Sequence, residues 1–228
     1  MSVQLDKIIP WGRSMREYEL MFSLTESDLS GSILGCGDGP AGFNAEMTRR
    51  GFSVTSCDPI YIFSPNQILD PFNAGIEPIM SQLRAHPQNY VWSYHRNPDD
   101  LLRNRRDAMR LFIADYSAGL LQKRYIVAEL PKLLFANDTF SLAVCSHLLF
   151  LYSDLLSLEF HLASVLELSR VAHEVRIFPL TGLDCEPSPH LAPLQAELPR
   201  HGLRVEIAKV NYQLQRNGDK MMKIQKIS

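Results

Sequence analysis

Short apolar runs bounded by glycine, proline and polar turns alternate along this chain with stretches whose apolar positions recur every three or four residues. The first pattern marks strands, the second amphipathic helices. Met15, Tyr18, Met21 and Phe22 stand at helical spacing, so the first thirty residues read as helical. Ser32-Ile33-Leu34 then forms a strand that runs into a glycine-rich turn. A helix follows from about Ala41 to Arg50, closed by Gly51. Pro40 suits its first turn, where a backbone amide has no intrahelical partner. A second strand, from about Phe52 to Cys57, ends at Asp58.

After Asp58 the regular pattern breaks. A doubly wound unit needs one helix and short loops here, yet the chain runs from Pro59 to Lys123 before another strand begins. Pro65, Pro71, Pro78, Pro87 and Pro98 predict loop and short helices for most of that length. Asp99 to Ser117 predicts an amphipathic helix, with Leu102, Met109, Phe112, Ile113 and Tyr116 on its apolar side and Gly119 as its end. Residues 59–123 are therefore expected to be an insertion packed over the ligand-binding edge of the sheet, a lid or substrate cap.

Alternation resumes with strands at Tyr125 to Ala128 and Phe140 to Cys145, a helix from about Asp154 to Val171, and a strand at Glu174 to Phe178. A short helix from Leu191 to Arg200 precedes a strand from Leu203 to Val210. Asn217-Gly218 is a hairpin signal, and Lys220 to Ile224 would return antiparallel. The expectation is one α/β domain over residues 1–228 with no internal repeat.

Composition narrows the setting. The 228 residues are 46% hydrophobic, enough for a substantial core. A net charge of −2 gives no global attraction to nucleic acid or an anionic membrane. Cys36, Cys57, Cys145 and Cys185 form no CxxC pair, which argues against a disulfide framework or zinc site and for a reducing cytoplasmic location. Met1 to Lys7 contains no apolar run resembling a signal peptide. Leu148 to Leu168 is interrupted by Asp154, Glu159, His161 and Glu167, too polar for a bilayer span. His161, His173 and His190 lack metal-ligand spacing, so no metal is expected.

The chemistry is concentrated in Leu34-Gly35-Cys36-Gly37-Asp38-Gly39-Pro40-Ala41-Gly42. Gly37, Gly39 and Gly42 match the dinucleotide fingerprint, and Asp58 stands where a ribose-binding acid belongs. Gly35, Gly37 and Gly39 also match the first motif of the class I S-adenosylmethionine-dependent methyltransferases. The final hairpin and the segment Ala128 to Phe140 resemble the same family, over roughly Ser32 to Lys223 apart from the insertion. The resemblance implies a three-layer, doubly wound, Rossmann-like methyltransferase sheet ending in an antiparallel hairpin. An N-terminal helix and a helical insertion after the second strand would be added to it. It implies S-adenosylmethionine as cofactor, held around Gly35, Cys36, Gly37, Asp38 and Gly39, with Asp58, Pro59, Glu129, Leu130 and Ser146 at neighbouring strand ends. The sequence departs from the family at Ile33, where an acid is usual, and at Ser141, where an aspartate is common. Arg13 is the candidate for the methionine carboxylate, through a charge-assisted bond, with a surface arginine as the alternative.

A base for methyl transfer would belong at the end of the fourth strand. His147 is the candidate there, with an ordinary pKa suited to proton transfer and a histidine bonding the cofactor loop or the backbone as the alternative; Tyr152 is a candidate for positioning an acceptor, with packing under the lid as the alternative. Neither the Asn/Asp-Pro-Pro-Tyr/Phe motif of amino-group DNA methylation nor a Pro-Cys nucleophile is present there. Arg103, Arg105, Arg106 and Arg110 read as a solvated helix face, with attraction of an anionic substrate as the alternative. The expected function is methyl transfer to a small organic acceptor, with no nucleic-acid or membrane partner. A non-catalytic protein of the same fold is the second reading, resting on Ile33, and a nicotinamide-dependent oxidoreductase the third.

Overall fold

Strands β1 (Ser32–Cys36), β2 (Ser53–Cys57), β3 (Tyr125–Ile126), β4 (Phe140–Ser146) and β5 (Ala172–Phe178) run parallel in a sheet completed by β6 (Leu203–Lys209) and β7 (Lys220–Lys226). This computed structural model describes residues 10–227, so the targeting expectation for Met1 to Lys7 lies outside the described residues. The strand order is β3-β2-β1-β4-β5-β7-β6, with β7 antiparallel to both neighbours. In β4, Leu142, Ala143, Val144 and Cys145 are all buried, as a parallel strand covered on both faces requires.

Helices α1 (Met15–Met21), α2 (Glu26–Ser30) and α3 (Phe43–Arg49) accompany one face, where Met15, Tyr18, Phe43 and Met47 join Ile33, Val54, Leu142 and Val144 in one core cluster. Helices α6 (Leu158–Val171) and α7 (Leu191–Glu197) cover the other face through Val165, Leu168 and Leu194. The fold is the expected three-layer, doubly wound, Rossmann-like sheet with a terminal antiparallel pair. The chain winds outward in opposite directions from β1 and β4, which opens a crevice at their carboxyl ends.

Several elements differ from the sequence expectation. The amino-terminal region holds two short helices, because Ser14 with Glu17 and Thr25 with Asp28 each build a separate capping box. Pro40 lies in the turn before α3, outside the helix. The proline-rich stretch contains a 21-residue helix, α4 (Pro65–Ala85), that includes Pro71 and Pro78. Both prolines lie on its exposed side, while Ile68, Phe72, Ile76, Met80 and Leu83 form the buried stripe. Burial of that stripe outweighs the two lost backbone bonds.

Helix α5 (Pro98–Leu121) runs on through Gly119, where a Cβ would lie 2.3 Å from the Tyr125 ring. Gly119 thus serves helix-to-strand packing and does not end the helix. β3 is only two residues long, and α6 begins at Leu158 because residues 149–156 form turns. The link between β6 and β7 spans residues 210–219, so Asn217-Gly218 is one corner of a long loop in place of a tight hairpin.

Candidate functional site

The loop after β1 is fixed by its own side chains. Gly37 and Gly39 have φ of 62° and 55°, a region L-residues enter at a cost. A Cβ on Gly37 would also meet Leu148 Cδ2 at 2.5 Å. The Gly37 amide donates to the Cys57 carbonyl at 2.9 Å, tying the loop to the end of β2. Asp38 turns beneath the loop, where its carboxylate accepts hydrogen bonds from the Tyr18 and Ser56 hydroxyls. Asp58 Oδ2 accepts from the Gly39 amide at 2.8 Å and Oδ1 from the Ile60 amide at 3.0 Å. Tyr61 completes the frame, donating its hydroxyl to the Gly39 carbonyl at 2.7 Å.

This loop walls a cavity of about 350 Å³ at the carboxyl edge of the sheet. Of the residues singled out from sequence, Arg13, Gly37, Asp38, Gly39, Asp58, Pro59, Glu129, Leu130, Ser146 and His147 line it. Gly35 and Cys36 do not: Gly35 is filled from below by the Asp38 carboxyl group, and Cys36 is buried in the sheet core. Tyr152 lines an adjoining cavity instead. Sequence reasoning missed Trp11, Tyr18, Leu148 and Phe160 as wall residues. The only available signal was the Ser14-x-x-Glu17 capping box, which places the preceding Trp11-Gly12-Arg13 outside the helix as a free strap.

The adjoining cavity measures about 110 Å³ and shares Trp11, Arg13 and His147 with the first. Its roof includes Ile79 and Leu83 of α4 and Tyr212 and Leu214 of the β6–β7 loop. That loop is stitched to the segment after α4. The Val91 amide donates to the Leu214 carbonyl at 2.7 Å, and the Arg216 amide donates to the Asn89 carbonyl at 2.8 Å.

Behind this roof lies a buried ionic node. Arg105 donates two bonds to Glu17, at 2.7 and 2.8 Å, and both side chains are almost fully buried. Tyr212 donates its hydroxyl to Glu17 Oε1 at 2.8 Å, and His95 Nε2 lies 3.2 Å from the same oxygen. Burial alone would push Glu17 up, but Arg105 and His95 hold its carboxyl well below the usual range. Arg105 therefore leaves the predicted solvated face. Leu101, Arg105, Ala108 and Phe112 form a buried stripe of α5, while Arg103, Arg106 and Arg110 pair with surface acids.

His147 stands at the junction of the two cavities with φ of 54°, an unfavourable backbone for a residue with a Cβ. Its amide donates to the Phe178 carbonyl at 2.7 Å, and its Nδ1 lies 2.9 Å from Ser146 Oγ. Burial, with the nearby Arg13 and Arg105 charges, pushes its pKa well down, so the imidazole is neutral. Arg13 donates to the Trp11 carbonyl at 2.7 Å, and its buried Nε has no partner among the described residues. Burial, then Arg105, lowers its pKa to about 10, which leaves it charged near neutrality. Burial pushes Asp58 up to about 6, against the bonds from the Ile60 and Gly39 amides.

The third glycine of the dinucleotide pattern is not presented to a ligand. The Gly42 amide donates to the Arg13 carbonyl at 3.0 Å, and a Cβ on Gly12 would lie 1.9 Å from the Pro40 carbonyl oxygen. The amino-terminal strap thus occupies the start of α3, where a pyrophosphate would have to sit. Gly42 is absent from the cavity wall. Among the described residues no group of three His, Cys, Asp or Glu side chains is arranged to hold a metal, and no helix is long and apolar enough to cross a membrane.

No family model matches the chain. It is 32% identical over 216 residues to the uncharacterized protein MJ0045 of Methanocaldococcus jannaschii, spanning 94% of this chain and 95% of that one. Among solved structures, a TehB-like S-adenosylmethionine-dependent methyltransferase from Corynebacterium glutamicum is 11% identical, with TM-score 0.45 over 87% of this chain and 81% of that one. The magnesium protoporphyrin IX methyltransferase of Synechocystis, solved with bound S-adenosylmethionine, is 12% identical, with TM-score 0.44 over 85% and 69%.

Proposed function

This chain belongs to the family of MJ0045 of Methanocaldococcus jannaschii, and we propose that it is an S-adenosylmethionine-dependent methyltransferase acting on a small organic acceptor. One observation carries the reading. The cavity at the carboxyl edge of β1, β2 and β4 joins a glycine loop, a strand-end carboxylate and an incompletely bonded arginine, and the strap closes the place of a pyrophosphate. A ligand with a ribose and a carboxylate but no phosphate fits that set.

Asp58 holds the loop through the Gly39 amide, and an ionised carboxylate has lone pairs left for two ribose hydroxyls. Arg13 offers its guanidinium to the methionine carboxylate, and Gly37 leaves the space a side chain would fill. Glu129 and Leu130 line the same cavity, and the adenine would lie against them. When bound, S-adenosylmethionine supplies a methyl group on a sulfonium sulfur, which keeps the broken bond's electron pair as a neutral thioether while the acceptor's lone pair takes the carbon. The protein then has to align the acceptor and hold its proton. The neutral His147 ring, whose lowered pKa disfavours holding the proton itself, would orient the acceptor's hydroxyl by accepting its hydrogen bond, and the smaller cavity would align the acceptor.

Titration calorimetry with S-adenosylhomocysteine and, separately, NAD⁺ tests this. Saturable binding of the first alone is the expected result, and binding of NAD⁺ alone would overturn the reading. Ile33 lies in the core and cannot meet a ligand, which keeps a cofactor-binding protein without turnover as the second reading. Binding without methyl release to any acceptor would favour it.

A further inference from the structure

We propose, building on the methyltransferase reading, that the smaller cavity is the acceptor site and selects a single-ring aromatic compound whose hydroxyl group faces His147. Size is the first constraint. A cavity of about 110 Å³ is on the scale of the ~150 Å³ apolar cavity that holds benzene. One substituted ring fills it, whereas a nucleotide or a folded protein segment does not. The roof made by α4 and the β6–β7 loop covers part of it.

Wall chemistry is the second constraint. Phe178, Tyr90, Trp11 and Tyr212 bring rings to the lining. Tyr212 spends its hydroxyl on Glu17, so its polar end is already satisfied away from a guest. The rings of His147 and Phe178 lie 5.3 Å apart at 67°, and those of Phe178 and Tyr212 5.8 Å apart at 79°. Such a run of edge-to-face rings favours an aromatic guest over an aliphatic one of equal area.

Charge is the third. No carboxylate lines this cavity, while the Arg13 guanidinium does. An amine acceptor would arrive as an ammonium ion with no carboxylate of the protein in the lining to pair with. A hydroxyl meets no such penalty. In the tautomer that donates Nδ1–H to Ser146 Oγ, the neutral His147 ring keeps its other nitrogen as an acceptor for an O–H donor.

The test uses the whole chain saturated with S-adenosylhomocysteine and saturation-transfer NMR titrations of 4-ethylphenol, phenethylamine and cyclohexanol. A single-stranded RNA oligonucleotide serves as a fourth probe. 4-Ethylphenol is expected to bind about tenfold tighter than either small comparator. Ile79→Trp and Gln215→Trp, which fill the cavity from α4 and from the loop, should each abolish that preference. The S-adenosylhomocysteine titration reports whether each variant is folded. Equal binding of the three small probes, tighter binding of the RNA, or a preference untouched by both variants would overturn the proposal. If S-adenosylhomocysteine itself does not bind, the methyltransferase reading fails separately, and the same ranking without it still decides the cavity's specificity.

Discussion

The Gly39 amide donates a 2.8 Å hydrogen bond to Asp58 Oδ2, linking the glycine loop to the carboxylate at the end of the neighbouring strand. One carboxylate thus shapes the loop and lines the cavity, so on the proposed reading loop geometry and ribose binding depend on the same ionisation. Its pKa, raised by burial to about 6, makes both pH-dependent near neutrality.

Affinity for S-adenosylhomocysteine should therefore fall as pH drops through about 6, because a protonated Asp58 loses acceptor sites for the ribose hydroxyls. Stability moves the other way for this group. Its folded pKa lies above the ordinary 3.8, so the folded state binds the proton more tightly. The Asp58 contribution to stability then increases as pH falls from 6 towards 4, by about 3 kcal/mol at most. Calorimetric titrations across that range check the first statement. Asp58→Asn should weaken binding by roughly tenfold or more and flatten its pH dependence. Unchanged affinity would remove Asp58 from the ligand site.

Gly12→Ala should disturb the strap directly. The new Cβ would sit 1.9 Å from the Pro40 carbonyl oxygen, and backbone cannot give way as a flexible side chain can. A loss of about 1–3 kcal/mol is expected, a fall in melting temperature of roughly 5 °C, with weaker S-adenosylhomocysteine binding because Arg13 moves with the strap. An unchanged melt would show that the strap is not seated on the loop in solution.

Glu17→Gln leaves the Arg105 guanidinium buried without its counter-charge. Breaking one side of such a pair costs about 3–5 kcal/mol, which a thermal melt should show as a drop of roughly 10 °C. The double variant Glu17→Gln with Arg105→Met should recover part of that loss. Additive losses in the double-mutant cycle would show that the two side chains do not act as a pair.

His147→Gly separates folding from chemistry. Glycine relieves the positive φ while adding chain entropy to the unfolded state, so stability should change by less than about 1 kcal/mol. Methyl release to an acceptor should nevertheless fall by roughly a hundredfold if the imidazole orients the acceptor's hydroxyl. Retained turnover would reduce His147 to a spacer between the cavities.

The sheet was legible because its signals are local. The strand-to-glycine transition at Leu34-Gly35, the apolar run Leu142 to Cys145 and the late antiparallel return each sit within a few residues. Helix α4 was hidden because Pro71 and Pro78 speak locally for loop, whereas Ile68, Phe72, Ile76 and Met80 decide the outcome only when a partner surface covers them. Arg105 was misread for a related reason. Its charge suggests solvent, but its spacing from Leu101 and Ala108 places it inside, and the residue that makes this tolerable, Glu17, lies 88 positions away. The Gly37, Gly39 and Asp58 side of the candidate site came from a motif. The Trp11, Tyr90 and Tyr212 side comes from three segments that only tertiary folding brings together.

Trp11, Arg13 and His147 belong to the walls of both cavities. A molecule that shifts any of the three on entering one cavity alters the shape and charge presented to the other. Thermodynamic linkage then requires the effect to be reciprocal: if the first occupant changes the second's affinity by some factor, the second changes the first's by the same factor. Two ligands, one in each cavity, that shift a shared residue would accordingly be cooperative or antagonistic, and the affinity measured for either would then depend on the occupancy of the other cavity.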